Sequence, residues 1–162
     1  MAHVLVTGMS GVGKSTALRG LADRGVEVVE TDDGDWCVLR QVSRASRGTV
    51  DRVWREDRIT ALLDDRAGRP LVVAGTVPNL GRFFDRFDAV ALLTAPLDVM
   101  LDRVARRTTN PFGKDEGERE RIVADTHAVV PLLRAACTHE IDTSVTPPDD
   151  VVRRLEELAL RR

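Results

Sequence analysis

The sequence predicts an α/β domain in three layers, a parallel sheet covered by helices on both faces. Three observations predict it. Short apolar runs suited to buried strands alternate with stretches of helical periodicity, the pattern of a parallel sheet packed on both sides. Residues 8–15 read Gly-Met-Ser-Gly-Val-Gly-Lys-Ser and place a Gly-rich turn between the first strand and the first helix. No segment repeats and none is low in complexity, so residues 1–162 read as one domain, long enough for a real core.

The elements follow in order. His3-Val4-Leu5-Val6-Thr7 is apolar and gives a strand over 4–7, and the helix Lys14–Asp23 begins at the end of the Gly-rich turn. Arg24-Gly25 stops that helix, and 26–30 is the second strand. Residues 35 to about 47 and 51 to about 66 read as helices broken at Gly48. Asp51 would cap the second of these, with Val53, Ile59, Leu62 and Leu63 near one face. Ala67-Gly68-Arg69-Pro70 is a turn before the strand Leu71–Ala74, and 89–93 is the fourth strand. Pro96 opens a helix over 96–107, and 108–114 is a loop. A long helix over about 115–137 contains Pro131, a place to bend. A short fifth strand, 140–142, and a last helix, 149–160, complete the chain.

Composition narrows the function classes. The charged residues nearly cancel to a net −2, so no overall field favours nucleic acid or an anionic membrane. No apolar run approaches the roughly 20 residues of a membrane span. The N-terminus lacks the pattern of a secretory signal, so a cytoplasmic protein is expected. Cys37 and Cys137 lack metal or redox spacing and read as reduced, and His3, His127 and His139 show no metal spacing. Of 24 Lys and Arg residues only Lys14 and Lys114 are lysines. The first sits in the Gly-rich turn, where a compact charge on a flexible stem differs from arginine.

Ligands in such sheets bind beyond the carboxyl ends of the strands. That puts the turn 8–15, the acids 30–35, residues 75–79, a lid at about 106–118 and residues 143–147 along one rim. In the turn, the glycines let N–H groups converge on an anion beside a helix N-terminus. Gly8, Ser10, Gly11, Val12, Gly13, Lys14, Ser15 and Thr16 would hold a nucleoside triphosphate, Lys14 reaching its β- and γ-phosphates and the Ser15 hydroxyl ligating Mg²⁺. Glu30-Thr31-Asp32-Asp33-Gly34-Asp35 places four acids at the end of the second strand. Glu30 and Asp32 suit Mg²⁺, and Asp32 or Asp33 could accept the proton of an acceptor hydroxyl, while Asp35 suits a helix cap. Strand three ends in Ala74-Gly75-Thr76 without an acid, and Asp88 lies at the wrong end of strand four. Gly75 would let a ligand or backbone come close. Arg103, Arg106, Arg107 and Lys114 flank a loop with Pro and Gly that could close as a lid over the γ-phosphate. Trp36, Arg40, Arg44, Trp54, Arg55 and Arg58 in the insertion 35–66 could form a pocket for an anionic or planar acceptor; the alternative is that the tryptophans are core and the arginines solvated.

These features together resemble the P-loop kinases of the nucleoside-monophosphate-kinase-like group, in layout shikimate and gluconate kinases. The stretch 107–114 and the third strand are similar to actinobacterial shikimate-kinase-like ATP-binding proteins. The resemblance implies a P-loop NTPase sheet of order 2-3-1-4-5 with a helical substrate-binding insertion and a lid. Glu30-Thr31-Asp32 resembles the family's D-x-D pair of metal and acceptor acids. Trp54-Arg55 looks like the Phe-Arg pair whose arginine holds the shikimate carboxylate, and Arg107-Thr108 resembles the adenine-stacking arginine. Lys114 sits where the family has a catalytic lid arginine, and Asp142-Thr143 with Pro147 resembles the adenine-side loop. The departures are Ala74-Gly75-Thr76 in place of a triple glycine, Val129 in place of a second carboxylate-binding arginine, and Arg58 in place of an acid. The expected activity is therefore transfer of the ATP γ-phosphate to a hydroxyl of a small-molecule acceptor, with Mg²⁺, by a monomer or homodimer whose partners are ATP/ADP and the acceptor. A nucleoside or nucleotide kinase is one alternative. A nucleotide-binding regulatory module or ATPase without a small acceptor is another.

Overall fold

A computed structural model describes residues 2–41, 50–108 and 110–161. In chain order the elements are β1 (His3–Thr7), α1 (Lys14–Asp23), β2 (Glu27–Glu30), β3 (Cys37–Gln41), β4 (Val50–Trp54), α2 (Glu56–Asp65), β5 (Leu71–Ala74), β6 (Ala89–Thr94), α3 (Leu97–Arg106), α4 (Glu116–Ala136), β7 (His139–Asp142) and α5 (Pro148–Leu160). Two short 3₁₀ turns, Leu80–Arg82 and Phe84–Arg86, join β5 to β6.

Five strands form one sheet in the order β2-β5-β1-β6-β7, every neighbouring pair parallel. This is the predicted order. The central strands read as continuous apolar runs because both of their faces are covered. Alternate side chains go to opposite layers. Val4, Val6, Val72, Ala91 and Leu93 pack with α1, α3 and α5 through Leu18, Leu21, Met100 and Leu155. Leu5, Leu71, Val73, Val90 and Leu92 pack on the other side with Ile59 and Leu63 of α2, with Phe83 and Phe87, and with Trp54. Asp115 caps α4, its carboxylate accepting from the Glu118 N–H at 2.7 Å, and α4 continues across Pro131.

The insertion departs from its sequence reading. Where two helices were expected, β3 and β4 pair as an antiparallel hairpin, Cys37 opposite Trp54 and Gln41 opposite Val50. Only α2 is helical, and it starts at Glu56. Asp51 caps nothing: it lies in β4, where its carboxylate accepts from the Arg52 N–H at 2.7 Å. Asp35, expected as a cap, precedes a strand. The reason is cross-strand pairing of Val38 with Val53 and burial of Trp54 in the core, non-local gains that override a local helical spacing. Arg44, Gly48 and the rest of 42–49 lie outside the described residues.

Candidate active site

Residues that follow the carboxyl ends of β1, β2 and β7 line a cavity of about 600 Å³, while residues 75–79, expected on the same rim, are not in its lining. Met9 to Ala17 form its floor. The turn has the shape its glycines permit: Gly11 and Gly13 take φ of 85° and 99°, left-handed values that side chains rarely adopt. At Gly11 the space is also taken, since a Cβ would lie 2.6 Å from the Met100 carbonyl oxygen of α3. Gly13 stands at the N-cap of α1, which has no side-chain cap, so the first N–H groups of the helix are left for a ligand.

Lys14 is half-buried, its ammonium turned back onto the loop, donating to the Gly8 and Met9 carbonyls. Burial pushes its pKa down, partly offset by the charges of Asp32 and Glu30. The Ser15 hydroxyl donates to Glu30 Oε1 at 2.5 Å. Asp32 lines the cavity, and Asp33 does not. Ser15, Glu30 and Asp32 thus bring hard oxygen donors together beside the Gly-rich turn. Among the described residues no three His, Cys, Asp or Glu side chains form a metal-binding group by themselves. Such a donor set fits Mg²⁺, which keeps several waters and binds through one or two carboxylates plus phosphates.

The other wall is cationic. Arg19, Arg103, Arg106 and Arg107 line the cavity with Lys14, opposed by Asp32. Arg19 was missed by the sequence reading, although its position one turn beyond Ser15 was the available signal. Arg106 is paired with Asp102 at 2.9 Å. Arg107 ties down the loop it begins, donating to the carbonyls of Asn110 (3.1 Å) and Phe112 (2.7 Å), and burial lowers its pKa. Arg103, expected in the lid, is instead bound to Gly11 O (3.2 Å), Thr143 Oγ1 (2.8 Å) and Thr143 O (3.0 Å). Thr143 donates in turn to Val12 O at 2.8 Å, with Thr94 O at 3.2 Å. Ser144 caps the Asp142 carboxylate of the same turn and lowers its pKa. Thr146 and Pro148 reach the cavity, whereas Pro147, Gly8 and Glu30 stand just outside its lining. Lys114 is exposed and also outside the lining.

Apart from Asp32, the residues expected to bind the acceptor do not line this cavity. Trp54 is core, fully buried in a T-shaped contact with Phe83 at 5.5 Å. Its indole N–H donates to the buried Thr31 hydroxyl at 2.8 Å, and Asn79 brackets its backbone N–H and C=O. Gly75, where a ligand or backbone was expected to come close, lies beneath these two side chains: a Cβ there would meet Thr31 Oγ1 at 2.5 Å and Trp54 Cζ2 at 2.9 Å. Arg55 and Arg58 both pair with Asp35, at 2.5 and 3.0 Å, and Arg58 stacks over Trp36 at 4.9 Å. Arg40 is exposed on β3. Thr76 was not foreseen. Its hydroxyl donates to Gly8 O at 2.7 Å and meets Thr7 Oγ1 at 3.0 Å, fixing the entry to the Gly-rich turn from the end of β5. No helix among the described residues is long and apolar enough to cross a membrane.

The chain is similar to several known proteins. The AAA domain family matches residues 4–124. A nucleotide-binding protein of Gluconacetobacter diazotrophicus is 33% identical over 158 residues, covering 94% of this chain. The chain spans 40% of that curated relative's length. Among solved structures, the shikimate kinase of Acinetobacter baumannii in complex with shikimate superposes with a TM-score of 0.64 at 20% identity, covering 99% of this chain and 93% of the other. A gluconokinase of Sinorhizobium meliloti gives 0.57 at 20% identity, covering 97% and 93%. At such identity the likeness establishes the three-layer P-loop fold.

Proposed function

We propose, for a chain that belongs to the AAA domain family, that it is an ATP- and Mg²⁺-dependent phosphotransferase acting on a hydroxyl of a small-molecule acceptor. One observation carries the reading: Lys14, Ser15 and Asp32 converge on one cavity whose remaining charged lining residues are arginines, with Glu30 holding the Ser15 hydroxyl from just outside. The cavity's excess of cations complements a polyphosphate, and its donors face where charge spreads during phosphoryl transfer. Asp32 would orient the acceptor hydroxyl and take its proton as the oxygen bonds to phosphorus and the bond to ADP breaks. Lys14 would stay on the β- and γ-phosphates throughout. Mg²⁺, when bound beside Ser15 and Asp32, would neutralise phosphate charge. Arg107 would contact the base and Lys114 would reach the γ-phosphate from a closed loop.

The fold shared with shikimate kinase and gluconokinase supports an acceptor of small-molecule size. The test is ADP release with ATP and Mg²⁺ across nucleosides, nucleotides, sugars, sugar acids and shikimate, with Lys14→Ala as control. Acceptor-stimulated turnover that the control loses supports the reading; ATP binding without any stimulation across the panel overturns it.

A second reading, a nucleotide-binding module without a small acceptor, is favoured by the acceptor-side arginines. Arg55 and Arg58 both already pair with Asp35, and the match to a longer nucleotide-binding protein agrees with it.

A further inference from the structure

We propose that Arg103 and Thr143 are positioning residues that set the phosphate loop for anions by holding two of its carbonyls outward. The inference rests on the nucleotide-binding reading and gives Arg103 a role other than a lid cation. Both terminal nitrogens of Arg103 are committed, one to Gly11 O and Thr143 Oγ1, the other to Thr143 O. The Thr143 hydroxyl holds the next carbonyl, Val12 O, at 2.8 Å. Two consecutive loop carbonyls are therefore bound from the α3 and β7 side.

Peptide planarity converts this into a statement about donors. In a trans peptide the C=O and the following N–H point in opposite directions. Holding Gly11 O and Val12 O outward turns the N–H groups of Val12 and Gly13 inward. The Val12 N–H accordingly reaches across the loop to Met9 O at 3.4 Å. Glycines at 11 and 13 leave the same peptide units free to rotate, since glycine populates both signs of φ. A rotated unit would aim a carbonyl at the phosphates and replace a donor with an acceptor. The loop also rests directly on α3, where Gly11 meets the Met100 carbonyl one turn before Arg103. Thr143 is itself anchored, its N–H donating to Thr94 O at 2.8 Å, so the restraint is referred to the ends of β6 and β7.

The test is calorimetric titration of the full chain with inorganic tripolyphosphate, ATP and adenosine. The variants are Arg103→Met, Thr143→Val, Thr143→Ser and the double variant Arg103→Met with Thr143→Val. Each of the first two is expected to weaken tripolyphosphate and ATP about tenfold, the loss that follows from one withdrawn hydrogen bond. The double variant is expected to be no weaker than the worse single one, because both act on one element. Thr143→Ser keeps the hydroxyl and keeps the affinity, and adenosine serves as the ligand without phosphates. In amide NMR spectra the Gly13 N–H shifts with tripolyphosphate in the parent and in Thr143→Ser, and not in Thr143→Val. Loss with Arg103→Met alone, or additive losses, would mean that Arg103 touches the phosphates directly and would overturn the proposal. Parent-like affinity in both single variants overturns it too. A parent chain that binds neither tripolyphosphate nor ATP removes the nucleotide reading itself, a different result from failure of the variants.

Discussion

The indole N–H of Trp54 donates to the Thr31 hydroxyl across 2.8 Å, and Gly75 lies directly beneath the pair. The hydroxyl donates in turn to Ala74 O at 2.7 Å, so β2, β4 and β5 are joined at one buried polar point. Gly75→Ala places a methyl into that point. We expect a loss of about 1–3 kcal/mol in stability, the usual result of forcing volume into a packed core. Urea unfolding checks it, and an unchanged midpoint would show that the indole can move aside.

Nucleotide binding should depend on Lys14 in a pH-dependent way. Burial lowers its pKa, so the folded chain sheds this proton before the unfolded chain does. Between the lowered folded value and the ordinary lysine value the unfolded state carries more protons, and stability from this group rises with pH across that window. Anion affinity moves oppositely, since the neutral amine no longer attracts phosphate. Denaturant midpoints and ATP titrations between neutral and alkaline pH should show both trends, and Lys14→Met should abolish both.

Glu30 holds the Ser15 hydroxyl and so should tune the metal without being the phosphate site. Glu30→Gln is expected to raise the Mg²⁺ concentration for half-maximal ATP turnover by about 10- to 100-fold, the range for altered outer-sphere partners. Affinity for metal-free tripolyphosphate should hold. An unchanged Mg²⁺ requirement would remove Glu30 from the metal's surroundings.

Lys114 is exposed and outside the cavity lining. Lys114→Ala should leave equilibrium ATP affinity within about twofold, while acceptor turnover falls by about tenfold or more if the loop closes during the reaction. Equal effects on both quantities would mean that Lys114 already contacts nucleotide in the open arrangement.

Asp35 faces solvent with Arg55 and Arg58 around it. Asp35→Asn should change stability by less than about 1 kcal/mol, as exposed ion pairs do. Thermal melting checks this, and a larger loss would show that the arginine pair anchors the hairpin.

The layers were legible because their signals are local. The helix Lys14–Asp23 and the strand Leu71–Ala74 coincide with their predicted bounds, one set by a Gly-rich start, the other by an unbroken apolar run after Gly68 and Pro70. The hairpin was not legible. Val50, Val53 and Trp54 are spaced three and four apart and imitate a helix face, and the pairing of Val53 with Val38 is a non-local fact. The same division runs through the site. Gly8 to Ser15 are contiguous and carry their chemistry in their spacing. Arg103 and Thr143 lie 40 residues apart, and nothing in either neighbourhood announces the other. Thr76 stands where an acid was sought and not found, and only the fold reveals that it secures Gly8.

The placement of Trp54 has a mechanical consequence. Its ring is keyed into the sheet core at one end of a two-stranded ribbon, while Leu39 and Val50 further out are 66% and 57% exposed. The ribbon is therefore a cantilever with a fixed root. From β4, Arg52 reaches the Asp32 carbonyl at 3.5 Å, and the root held by Trp54 can move only if that core comes apart.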